Sequence, residues 1–267
     1  MAGAYDPATD GRVSTELRGD VFLIGLDRPK KLNGLSLKML RELAEAYTAF
    51  EREPRARVGL LFAHGPNFTA GLQLDQVGPR MASGEPIHPP GLVDPMSLRE
   101  PVRTKPLVCA VQGICFTAGI ELMLAADVVV AAEDSRFAQL EVRRGIIPTG
   151  GATIRFVERA GWGNAQRWLL TGDEFGAAEA LRLGFVQEVV AAGRSVARAL
   201  EIAEAIARQA PLAVRASLAS SRKFIDEGPR AAAAQLDEVQ RHLSKTADAA
   251  EGVQAFLEKR EPRFEGS

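Results

Sequence analysis

Cysteine is almost missing from this 267-residue chain: Cys109 and Cys115 are the only two, and both fall in one apolar stretch. Two thiols so placed give neither a disulfide framework nor a metal-ligand spacing, so no metal site and a reducing, cytoplasmic setting are expected. Histidine is scarce too, three residues, and no G-x-S-x-G occurs, which argues against a serine-hydrolase triad. Charge of one sign is also lacking. A net charge of −1 leaves no global basic excess to neutralise nucleic-acid phosphates, although a local basic pocket for one anionic ligand stays open. No apolar run reaches membrane-spanning length, and the opening MAGAYDPATDGR lacks the apolar segment of a secretory signal. Neither nucleic acid nor membrane is expected as a partner.

What is present is enough apolar residue, 46%, to bury a substantial core. The chain is organised around KPLVCAVQGICFTAGIELMLAAD, residues 105–127. Residues 107–111 read as a short, fully buried strand. Gln112-Gly113 breaks it, and a helix is expected over 118–126 with Thr117 as an extended N-cap. A strand, a glycine turn and a helix start leave several backbone N–H groups pointing at one spot, which suits an anion or a developing oxyanion. An extended Thr117 also predicts that proline at position 118 would delete one N–H and little else. Glu121 sits in the first turn among Ile120, Leu122, Met123 and Leu124, so the helix is apolar all round and buried. By itself the carboxylate reads either as a first-turn acid complementing the helix dipole or as an acid/base group beside an anion-stabilising turn.

Along the chain, residues 1–12 read as a loose tail. Strands are expected over 13–17, 21–26, 58–63, 127–132, 136–140 and 185–190, and helices over 36–53, 152–160, 163–170 and 177–183. From 195 onward only helices are expected. Seven of the fifteen prolines fall in 79–106, which reads as a long loop serving as either a lid or a passive insertion. Strands alternating with helices and then helices alone indicate an α/β core over 1–195 and a helical, oligomerising region over 196–267.

Six blocks in register resemble the enoyl-CoA hydratase/isomerase (crotonase) superfamily: DRPKKLNGLS, FTAGLQL, GICFTAGIELMLAAD, FAQLEVRRGIIPTGGATIRF, LLTGDEFGAAEALRLGFVQEVV and EGVQAFLEKREPRF. The resemblance implies a spiral of β-β-α units forming two roughly perpendicular sheets, with C-terminal helices that assemble trimers and usually hexamers. It implies a thioester oxyanion held by the N–H of Leu72 and Ala118, with Glu121 and Glu141 handling water and protons. For coenzyme A it points to Arg28, Lys30, Lys31, Ala70 and Gly71, and to Phe256 and Lys259, often from a neighbouring subunit. Lys38 and Lys105 read instead as solvated surface charges. The implied activity is hydration of a 2-enoyl-CoA to 3-hydroxyacyl-CoA, a lyase reaction in which coenzyme A belongs to the substrate and no separate cofactor is needed. Two alternatives stay open: an enoyl-CoA double-bond isomerase, which does not need Glu121 as a water base, and a catalytically degenerate acyl-CoA-binding oligomer. The departures from the family pattern are Thr117-Ala118-Gly119 in place of a glycine-rich run, Gln73 after the first oxyanion residue, Leu140 before Glu141 and Asp75 near the nucleotide.

Overall fold

A computed structural model describes residues 10–267; residues 1–9, most of the expected tail, lie outside them. In chain order the strands are β1 Arg12–Arg18, β2 Val21–Asp27, β3 Val58–Ala63, β4 Leu107–Val111, β5 Ile114–Phe116, β6 Val128–Ala132, β7 Arg136–Ala138, β8 Phe175–Gly176 and β9 Glu188–Val190. The helices are α1 Leu37–Arg52, α2 Leu74–Ala82, α3 Ala118–Ala125, α4 Ala152–Ala160, α5 Trp162–Thr171, α6 Ala177–Arg182, α7 Ser195–Ala207, α8 Pro211–Glu227, α9 Pro229–Ala234, α10 Leu236–Leu243 and α11 Ala247–Glu258. One sheet has six strands in the order β1-β2-β3-β4-β6-β9, parallel except for the β1–β2 hairpin; the other has three, β5-β7-β8.

The apolar runs read as buried strands are covered on both faces. In β4, Leu107, Cys109 and Val111 enter one core with α1 and α3, while Val108 and Ala110 enter a second core under α7. A period of two with no polar face is what a parallel strand between two layers requires. On α7, Ala199, Ala203 and Ala207 recur every four residues and face that second core, so small side chains bring the helix close to the sheet. Ser36 accepts a hydrogen bond from the Met39 N–H and starts α1.

Four expectations change. β5 and β8 were not expected, because segments of three and two residues carry no readable periodicity. α2 occupies the start of the proline-rich stretch, with Pro79 inside it, so the loop begins at 83 rather than 79. The second half of that loop is fastened down: Val93 and Met96 are buried, the Val93 N–H donates to the Thr48 hydroxyl, and the Asp94 carboxylate accepts from the N–H of Met96, Leu98 and Arg99. Lys105 is not a surface charge. It is buried, and its ammonium donates to the carbonyls of Phe50 and Glu53, closing the C-terminus of α1.

Candidate active site

Two loops bearing N–H groups are zipped together before any side chain is considered. The Phe68 N–H donates to Gln112 O, the Thr69 N–H to Ile114 O, and the Phe116 N–H to Thr69 O. Gly71 then lies so close to Thr117 that a Cβ on it would clash with the Thr117 hydroxyl, and its φ of +98° is one that glycine tolerates. Gly119 abuts Thr69 in the same way, its Cβ position 2.6 Å from a Thr69 methyl. Side chains at either glycine would pry the loops apart.

Thr117 is not the extended N-cap expected of it. Its φ is 51° and ψ −117°, and its side chain caps nothing. The chain turns from β5 into α3 within one residue, and a β-branched residue rarely adopts such a backbone, so strain is concentrated at this turn. Proline at 118 is therefore no clean N–H deletion, since the residue before a proline is pushed to a positive ψ that Thr117 does not have.

Beyond the turn, the N–H groups of Leu72 and Ala118 find no acceptor among the described residues, whereas their neighbours do: the Gly71 N–H goes to the Thr69 hydroxyl, the Gln73 N–H to Leu35 O and the Thr117 N–H to Ala138 O. Unpaired backbone donors are uncommon in a protein interior. Leu72 and Thr117 line a cavity of about 50 Å³ together with Ala70, Glu121 and Glu141.

Glu121 and Glu141 are both buried, 4% and 8% exposed, and differ in support. Glu121 Oε1 accepts from the N–H of Gly150 at 2.7 Å and of Ala152 at 3.2 Å, the latter the first residue of α4. Gly150 must be glycine, because a Cβ there would lie 2.5 Å from Glu121 Oε2. Burial still raises the Glu121 carboxyl above the usual range, and the two backbone bonds and Arg155 counter it. Glu141 lies in a 3₁₀ turn, Glu141–Arg144, and its Oε2 has no partner among the described residues. Burial pushes its carboxyl up to about 7, and the nearby charge of Glu121 adds to the rise. The surface pairing open to Glu141 is not made: Arg143 binds Asp173 instead, and Arg144 stands exposed at the cavity wall.

The residues named for coenzyme A are scattered. Arg28 is buried and occupied with Gly34 O and Gln73 Oε1, and with Asp10 at 3.9 Å. Lys30 and Lys31 are exposed on the turn Pro29–Lys31. Ala70 and Gly71 belong to the first N–H-bearing loop. Phe256, on α11, is 83% exposed, and Lys259 caps that helix; neither lines the cavity of its own chain. Sequence reasoning missed Gly150 and Ala152, which hold Glu121, although the glycine pair in PTGGA marked the place. Among the described residues no group of histidines, cysteines and carboxylates could hold a metal ion.

Unspent backbone donors and two carboxylates of different strength around one cavity define a class of site, one that polarises a carbonyl and moves protons beside it. The chain belongs to the enoyl-CoA hydratase/isomerase family, whose model matches residues 16–267. It is 34% identical over 254 residues to enoyl-CoA hydratase EchA19 of Mycobacterium tuberculosis, covering 94% of this chain and 95% of that protein. It is also 34% identical over 254 residues to carnitinyl-CoA dehydratase of Proteus mirabilis, covering 93% and 96% respectively. Among solved structures, a probable enoyl-CoA hydratase/isomerase from Mycobacterium abscessus matches with a TM-score of 0.92 at 46% identity, over 98% of this chain and 100% of the other. The crotonase fold expected from the sequence is thereby established.

Proposed function

We propose that the protein is a hydratase-type lyase that adds water across the C2–C3 double bond of a 2-enoyl-CoA thioester, giving 3-hydroxyacyl-CoA. Family membership and relatives named as hydratases and dehydratases of coenzyme A thioesters support the class. The observation that carries the reaction is the pair of buried carboxylates held in unlike environments on one cavity.

Glu121, whose charge is supported by two N–H donors, takes a proton from water as the oxygen attacks C3. Electron density moves to the thioester oxygen, held by the N–H groups of Leu72 and Ala118. Each such donor is worth about 10²–10³ in rate in a comparable site. Glu141, whose carboxyl holds its proton up to about pH 7, delivers that proton to C2. The polyanionic end of coenzyme A is met by Lys30 and Lys31, and by Phe256 and Lys259 of a neighbouring subunit.

A panel of 2-enoyl- and 3-enoyl-CoA thioesters tests the reading. The 2-enoyl compounds should be hydrated, and Glu121→Gln and Glu141→Gln should each lower turnover by about 10²–10⁴. Hydration that survives Glu121→Gln would remove the two-carboxylate mechanism and favour double-bond isomerisation.

A further inference from the structure

A second cavity, of about 290 Å³, adjoins the catalytic one and shares Leu72, Met81 and Glu121 with it. A thioester whose oxygen rests on the Leu72 and Ala118 N–H groups has this space available for its acyl chain, since Ala118 is part of the wall. The walls are of two kinds. Leu40, Ile87 and Met96 are apolar, whereas Glu85, His88 and Arg99, all from the proline-rich segment, are polar.

The three polar residues are not equally spent. Glu85 faces Arg80 at 3.7 Å. The Arg99 guanidinium, more than half exposed, lies 3.7 Å from Asp94, but that carboxylate is already taken up by three backbone N–H groups, and among the described residues no guanidinium N–H of Arg99 makes a hydrogen bond. His88 Nδ1 is buried without a partner among the described residues. Burial holds its imidazole below the usual pKa, so the ring is neutral at pH 7 and keeps one N–H to donate. An alkyl chain filling the cavity would pair with neither group. A carboxylate would accept from Arg99, whose guanidinium fork matches its two oxygens.

We propose that the acyl-chain pocket selects chains ending in a carboxylate, with Arg99 as the specificity-determining residue. This rests on the hydratase reading above and narrows its substrate class.

Two saturated acyl-CoA thioesters of equal chain length, one ending in methyl and one in carboxylate, separate the two ideas because their binding needs no turnover. By calorimetry the carboxylate-ended thioester should bind the native protein about tenfold more tightly, a ratio that collapses in Arg99→Gln and partly returns in Arg99→Lys. The ratio of kcat/KM for the matching 2-enoyl-CoA pair should move in the same sense. Equal affinities in the native protein overturn the proposal, and that comparison stands even if a variant misfolds. An unaltered ratio in a folded Arg99→Gln overturns it as well. A binding preference without hydration of either 2-enoyl-CoA supports the pocket assignment and removes the hydratase reading instead.

Discussion

Glu121 and Glu141 carry the same functional group in unlike hydrogen-bonding surroundings. Oε1 of Glu121 accepts from Gly150 and Ala152, whereas Oε2 of Glu141 has no donor among the described residues. If Glu141 must hold a proton for C2, kcat/KM should fall as pH rises through about 7, where burial has placed its carboxyl. If Glu121 must be ionised, kcat/KM should fall again in acid, as pH drops through its own raised value. The plot is then bell-shaped, and its alkaline limb should disappear in the residual activity of Glu141→Gln. A limb that persists in that variant belongs to another group. Residue type alone could not make this distinction. Both acids were legible as candidates, but the donors that hold Glu121 come from a loop 29 residues away, and only the fold brings them there. Lys105 teaches the converse: a lysine beside a proline looks like surface, yet its flexible stem carries the charge to a helix end.

At the level of elements, long periodic segments were legible and short ones were not. α1, α3, β4 and β6 fall close to where apolar spacing put them, since each buries a stripe or a whole surface that composition cannot hide. β5 and β8 exist through their neighbours, and α2 was masked by Pro79 and Gly78. The proline-rich segment divides at the same level. Residues 93–106 are tied into the core by Val93, Asp94, Met96 and the Arg103–Asp127 ion pair at 2.7 Å, while residues 83–92 are mostly outside it. Amide hydrogen exchange should therefore report slow exchange in 93–106 with or without ligand, and slowing confined to 83–92 when an acyl-CoA binds. Protection of 83–92 that is the same in both states would deny this segment a part in closing the acyl pocket.

For the whole molecule, the C-terminal helices present more apolar surface than a monomer ordinarily leaves uncovered. Phe224 and Ile225 on α8, Leu236 on α10, and Val253, Phe256 and Leu257 on α11 are each more than half exposed, between 51% and 83%. We propose that assembly in threes or sixes covers them. Light scattering should then give three or six times 28.7 kDa. Val253→Asp together with Leu257→Asp should shift the mass toward the single chain. A monomer at micromolar concentration would leave the exposed helices without this explanation and Phe256 without a neighbouring site to complete. Among the described residues no helix is long and apolar enough to cross a membrane.

The fastening of Glu121 by one oxygen has a stereochemical outcome. With Oε1 fixed against Gly150 and Ala152, only the other oxygen can receive a proton, and it can do so along a restricted direction. A planar C2–C3 double bond presents two mirror-related faces, and a base so restricted delivers water to one of them. The new asymmetric carbon should therefore be formed in one hand, and chiral chromatography of the 3-hydroxyacyl product should resolve a single enantiomer. A racemate would mean that water reaches C3 without Glu121.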